Sequence, residues 1–170
     1  MKKLKKEAHI TYVFIDATNI IYGATRSGWR MDFEKLAKYL RERFYAKQIL
    51  YYAGVDDENK KQLKFYEKLQ EFGYTLRLIP VKRFRDGHKK ADVDSRMTFE
   101  LMRYLKSYNL CIIMTGDGDY FWVLEYLLQQ NKKILLFSHK KSTARELKQL
   151  VKGEYTDLER LKPFLAKKLR

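Results

Sequence analysis

Five short runs with strand character alternate along this chain with segments of helical spacing, and that alternation leaves few folds open. The runs are residues 11–16, 49–53, 74–79, 110–114 and 134–137. Between them, Phe33, Leu36, Ala37, Leu40 and Phe44 recur at helical steps. So do Leu63, Phe65, Tyr66, Leu69 and Phe72, with Gly73 following as a C-cap candidate. The same reasoning places helices at about 91–106, 120–130 and 142–151, with a short one after Asp157. A helix between strands is long enough to bring the next strand back parallel to the last. The runs at 110–114 and 134–137 are almost wholly apolar, as strands covered on both faces are. The expected class is therefore α/β, with a mainly parallel central sheet of about five strands.

A chain of 170 residues fits one domain, here expected over 11–170 behind a basic segment at 1–10. At that length roughly 70% of the unfolded surface is buried on folding, so no disulfide or structural metal is required. Cys111 is the single cysteine and sits in an apolar run, where it reads as a core residue. That count excludes zinc held by several thiolates and suits a reducing, cytoplasmic setting. No stretch approaches the roughly 20 apolar residues that span a bilayer, so no membrane partner is expected. Met1–Lys6 is basic, but no apolar segment follows it, so a signal peptide is not expected.

Charge is the first functional clue. Lys and Arg total 36 against 21 Asp and Glu, a formal net charge of +15. Such a field attracts polyanions. The acids that remain are not scattered. In parallel α/β sheets ligands bind outside the carboxyl ends of the strands, and two apolar runs here drive straight into carboxylates. The first ends at Asp16, followed by Ala17-Thr18-Asn19; the fourth continues into Thr115-Gly116-Asp117-Gly118-Asp119-Tyr120. An acid directly after a buried run is costly unless it is paired, solvated or bound to a metal. The alternative is an ordinary polar turn capping the next helix. A third acidic stretch, Asp92-Val93-Asp94, opens the helix near 91–106. Asp92 reads as its N-cap and Asp94 as a first-turn residue near the positive end of the helix dipole, with a site role for Asp94 beside the strand-end acids. Carboxylates with few histidines and no thiolate set suit a hard ion, Mg2+ or Mn2+.

Taken together, Val13-Phe14-Ile15-Asp16 with Asn19, then Lys90-Ala91-Asp92-Val93-Asp94, then Thr115-Gly116-Asp117-Gly118-Asp119-Tyr120, resembles the NYN family of PIN-like ribonucleases. The matches fall in the family's order and extend over nearly the whole chain; the late segment Glu154–Leu158 is similar but less specific. The resemblance implies a Rossmann-like, three-layer α/β/α sandwich, a Mg2+ or Mn2+ site and RNA as substrate. It implies Asp16, Asp94, Asp117 and Asp119 as catalytic metal ligands, some of them acting through water. Asn19 would orient Asp16 or meet a phosphate, and Lys90 would meet substrate or steady an acid. One departure stands out. The family often carries an aspartate six residues after the position of Asp94, where this chain has Glu100. Six residues is about 240° around a helix, so Glu100 is either a further ligand or a helix residue apart from the site.

The run Lys82-Arg83-Phe84-Arg85-Asp86-Gly87-His88-Lys89-Lys90 reads as a loop leading into the acidic helix. Lys82, Arg83, Arg85, Lys89 and Lys90 are candidates for phosphate contact, and Phe84 for base stacking. Tyr120 is expected near substrate and Phe121 in the core. Tyr22 and Trp29 either stack single-stranded bases or seat a loop on the core. His139 falls on the active edge, where a general-acid role is open, and Ser142 is a helix N-cap candidate.

The expected function is divalent-metal-dependent hydrolysis of RNA phosphodiester bonds. The rivals are an RNA-binding module on the same fold with weak or no turnover, and a small-molecule phosphohydrolase. An EF-hand is excluded because its ligand spacing and terminal glutamate are missing. A phosphatase with an aspartyl nucleophile needs a second acid where Thr18 stands. The pattern leaves the oligomeric state open, a homodimer included.

Overall fold

The computed structural model describes residues 9–83 and 89–168. Six parallel strands form the central sheet: β1 (Thr11–Asp16), β2 (Ala46–Val55), β3 (Thr75–Pro80), β6 (Leu110–Met114), β7 (Lys133–Ser138) and β8 (Tyr155–Asp157). Their order is β3-β2-β1-β6-β7-β8. A separate antiparallel pair joins β4 (Lys82–Arg83) to β5 (Lys89–Lys90). The helices are α1 (Ala17–Arg26), α2 (Phe33–Phe44), α3 (Lys60–Glu71), α4 (Val93–Arg103), α5 (Phe121–Gln129), α6 (Arg145–Leu150) and α7 (Lys162–Leu165).

Alternation along the strands separates two cores. Val13 and Ile15 of β1 join Tyr51, Ile112 and Met114 on one face, packed by α1, α2 and α3. Tyr12 and Phe14 join Tyr52, Cys111 and Ile113 on the other, packed by α4, α5 and α6. Period-2 side-chain direction produces this division, and the result is the three-layer sandwich expected. Cys111 is fully buried, as its apolar run predicts.

Four features depart from the sequence reading. The sixth strand, β8, is three residues long and only partly buried, too short to announce itself by pattern. Ala17–Arg26 is a helix that starts directly at the end of β1, capped by Asp16 itself, whose side chain accepts from the Asn19 backbone N–H. The segment at 82–90 is not wholly a loop, since Lys82 pairs with Lys90 and Arg83 with Lys89. Ser142 does not cap α6; the cap position is Ala144, and the Ser142 hydroxyl donates to the His139 carbonyl. By contrast Asp92 caps α4 through Ser95 N–H at 3.2 Å, as expected. Among the described residues no helix is long and apolar enough to cross a membrane.

Strand order fixes where a site can lie. The chain starts at β1, builds outward through β2 and β3, then returns to place β6 on the other side of β1. The two strands that lead away in opposite directions leave a crevice at their carboxyl ends. Ile15 is level with Met114 across this join, so Asp16 and Thr115 emerge side by side.

Candidate metal centre

Asp16 forms the floor of the crevice and is 5% exposed. Its Oδ1 accepts from Asn19 N–H and its Oδ2 accepts from the Thr115 hydroxyl, each at 3.1 Å. Burial pushes its carboxyl up to about 6, against the pull of these two hydrogen bonds, and the charges of Asp94 and Asp117 push the same way. Asn19 also braces the opposite strand end, its side-chain oxygen accepting from Gly116 N–H at 2.8 Å. Gly116 is required there, since a Cβ would lie 2.6 Å from the Ser142 carbonyl oxygen. The turn beyond is held by Asp119 N–H donating to Asp117 Oδ1 at 3.0 Å.

Asp94, Asp117 and Asp119 each offer a carboxylate oxygen, and the three atoms lie within 4.8 Å of one another. Asp94 reaches the group from the first turn of α4, on the opposite side of the crevice. The Tyr120 hydroxyl fixes it by donating to its Oδ1 at 2.9 Å. Burial raises the Asp94 carboxyl, the Tyr120 hydrogen bond opposes that rise, and the charges of Asp117 and Asp119 add to it. No ion pair among the described side chains neutralises this trio. An all-oxygen donor set under mutual repulsion fits a hard divalent cation. Asp16 lies beneath the trio rather than in it, and with Asp94 and Asp117 it lines a cleft of about 280 Å³.

Tyr120 is fully buried, which corrects its expected place as a substrate contact. Its hydroxyl acts on Asp94 instead. Tyr120→Phe removes that hydrogen bond with little change of shape. Metal affinity should fall by roughly 10- to 100-fold, the scale for losing a group that orients a ligand. Stability should change by no more than about 1.5 kcal/mol. Calorimetric titration with Mn2+ beside a thermal melt checks both, and unchanged affinity would remove Tyr120 from the centre.

Glu100 is placed apart from the trio. It is completely buried on α4, with Oε2 accepting from Arg77 Nε at 2.7 Å and from the Tyr52 hydroxyl at 2.8 Å. Its Oε1 accepts from Arg96 at 2.7 Å. Burial pushes this carboxyl up, but the hydrogen bonds from Arg77, Tyr52 and Arg96 outweigh it and hold the carboxyl below its usual value. The carboxylate of Glu100 thus ties α4 to β3 and β2. Sequence reasoning missed Arg77, although its signal was present: a lone cation inside the apolar run Leu76-Arg77-Leu78. It also missed Thr115, which differs from any strand-end threonine only through the neighbour that β1 supplies.

The other candidates divide clearly. Trp29 is buried, and its Nε1 donates to Glu159 Oε1 at 2.7 Å. His139 is buried against α1, donating from Nε2 to the Ile20 carbonyl at 3.2 Å, with Nδ1 3.3 Å from the same Glu159 oxygen. Both seat α1 on the sheet, so neither stacks a base nor faces the cleft. Phe121 is half-buried against the second core. Tyr22 is 60% exposed and lines the cleft. Lys82 is exposed at the root of the β4–β5 pair, and β5, with Lys89 and Lys90, runs directly into Ala91, which lines the cleft. Arg85, Phe84, His88 and most of the basic N-terminal segment lie outside the described residues.

The raised Asp16 carboxyl has a measurable consequence for the metal-free protein. Below about pH 4 Asp16 is protonated in both folded and unfolded chains. From 3.8 to about 6 the unfolded chain loses its proton first. Rising pH therefore lowers stability across that window and leaves it lower above, by about 3 kcal/mol at most. Asp16→Asn should be more stable than wild type at pH 8 in EDTA, with the advantage vanishing near pH 4. Urea unfolding at the two pH values checks this, and equal stability at pH 8 would refute it.

Comparison with known proteins agrees with the fold. The NYN domain model matches residues 10–159. The Low amplitude and bright protein LabA of Synechococcus elongatus is 27% identical over 163 residues, 91% of this chain and 87% of that protein. A crystal structure of a protein of unknown function from Vibrio parahaemolyticus superposes with a TM-score of 0.81 at 21% identity, covering 97% of this chain and 99% of the other. That likeness concerns the fold. With a sheet ordered about β1 and β6, acids gathered at their carboxyl ends and a family match across most of its length, the chain belongs to the NYN domain family.

Proposed function

We propose that the protein is a divalent-metal-dependent ribonuclease that hydrolyses RNA phosphodiester bonds at the acidic crevice. The observation that carries this reading is the approach of Asp94, Asp117 and Asp119 within 4.8 Å at the sheet's switch point, in a chain of net charge +15. The basic surface supplies long-range attraction for a polyanion, and the acid cluster would repel it without a cation between them. Bound there, Mg2+ or Mn2+ supplies a Lewis acid for a phosphoryl oxygen and lowers the pKa of water.

The chain's own residues divide the remaining work. Asp94, Asp117 and Asp119 would hold the ion, with Tyr120 fixing Asp94 through its hydrogen bond. Asp16 is held from below by Thr115 and Asn19, which fix its carboxylate at the cleft beside the trio, where it would orient the ion's water or accept its proton. Lys82, Arg83, Lys89 and Lys90 stand on the β4–β5 pair beside the cleft and, with Arg85, would position phosphates without reading sequence.

The experiment is cleavage of end-labelled single-stranded RNA with Mn2+ or Mg2+, against an EDTA control. Metal-dependent fragments are expected. Salt-sensitive RNA binding without cleavage under either metal would replace this reading with that of a binding module.

A further inference from the structure

The acidic cleft is continuous with a second one that the chemistry above does not use. Thr18 and Tyr22 of α1 line both. The second cleft, about 430 Å³, lies between α1 and the β2–α3 side of the molecule. Its floor is closed by the buried rings of Tyr51 and Tyr66, and the aromatics it can offer a ligand are the half-buried Phe65 of α3 and the exposed Tyr22; among the described residues no charged side chain lines it. Its one amide, Gln62, already accepts from the Asp56 backbone N–H at 2.8 Å. Further along α1, Ile21, Thr25 and Phe65 pass into a third cleft of about 200 Å³. Among the described residues its charges are Arg30 and Lys167, both cationic and exposed.

We propose that this line of clefts is the track of a single nucleic-acid strand, with the aromatic cleft between α1 and α3 seating the nucleobase next to the phosphate at the acidic crevice. The inference rests on the nucleic-acid reading given above and adds the strand's path and its single-stranded form. Three observations carry it. The order along α1 is acids, aromatics, then cations. Thr18 to Thr25 is seven residues, about 10 Å of helix, so the whole track is short enough for adjacent nucleotides. Tyr22 stands exposed at the junction, and the Arg26 guanidinium lies over one face of its ring, 5.5 Å from the centroid, so a base would stack on the other face with a cation close by. A base paired in a duplex cannot enter a cleft lined this way, whereas an unstacked base offers it a face. With Gln62 committed to the backbone, the seat accepts bases by stacking and does not discriminate among them.

The test is fluorescence anisotropy with a labelled oligouridine heptamer and a set in which one position at a time is abasic, all with Ca2+ in place of Mn2+ or Mg2+, so that a hard cation offsets the charge of the acids while its weaker Lewis acidity suppresses cleavage. Wild type should lose roughly tenfold in affinity when the abasic position falls in the seat, the scale of one stacked base. Tyr22→Ala should lose a similar factor for the intact strand and show no further loss on the abasic one. Tyr22→Trp should bind at least as well as wild type, which separates stacking from disturbed folding. Trp122→Ala removes an aromatic that is 74% exposed on α5 and should change nothing. Arg30→Gln with Lys167→Gln should flatten the slope of log K against log salt by about 0.7 for each charge. Equal abasic losses in wild type and Tyr22→Ala, or an unchanged salt slope in the double variant, would overturn the track. Absence of cleavage together with a Tyr22-dependent abasic effect would remove the nuclease reading alone. Cleavage with no such effect would remove the track alone.

Discussion

Asp117→Asn is expected to lower kcat/KM for RNA cleavage by roughly 10²- to 10³-fold or more, the scale for removing one electrostatic group aimed at transition-state charge. Asp117, like Asp94, belongs to the trio and also lines the cleft beside Asp16, and it follows the end of β6 where Thr115 holds Asp16. Its Oδ1 accepts from Asp119 N–H. An asparagine oxygen can keep that bond, so the turn should survive while the charge is lost. The variant should therefore fold and should bind RNA at least as tightly in EDTA, because one repelling charge has gone. Steady-state cleavage with Mn2+, read beside anisotropy in EDTA, separates these effects. Full activity in the variant would exclude the crevice as the place of reaction.

The second large effect is on stability. Glu100→Ala should destabilise the fold by about 3 to 5 kcal/mol, the cost of removing one partner of a buried ion pair. Arg77 and the Tyr52 hydroxyl would lose their shared acceptor on a fully buried side chain. At about 2 to 4 °C per kcal/mol for a chain of this size, the Tm falls by roughly 10 °C. Wild type should also show the pH dependence of this network. Because the Glu100 carboxyl is held below its ordinary value, its contribution is present above the unfolded pKa and is lost as acid protonates the folded form. Glu100→Ala should lack that acid loss. A thermal melt and a Mn2+ titration on the same sample distinguish a structural glutamate from a ligand. A stable variant with weakened metal binding would return Glu100 to the centre.

Much of this was legible before any coordinates. Hydrophobic period alone divided the chain into strands and helices, because burying one face or both leaves a different spacing in each case. The acids at 16, 117 and 119 were visible because carboxylates after apolar runs demand a partner, and Asp94 because it stands in the first turn of a helix that those strand-end acids could face. The helix over Ala17–Arg26 was harder to read: its buried face is made of Ala17, Ile20, Gly23 and Ala24, mostly small residues, while Ile21 and Tyr22 are exposed. Those exposed apolar residues line the clefts along α1.

What the sequence determined by itself was the class of fold, the identity of the acids and the sign of the field around them. These depend on residue type and near-neighbour spacing, which the chain carries locally. What only the tertiary structure decided was which acids meet. Asp94, Asp117 and Asp119 converge while Asp16 lies beneath them and Glu100 turns to Arg77 and Arg96. That choice follows from β6 returning beside β1 and from the rotation of α4 against the sheet, both set by packing among residues far apart in the chain. Spacing along one helix places Asp94 and Glu100 on different faces; only the partners brought by other elements make one a ligand candidate and the other an anchor.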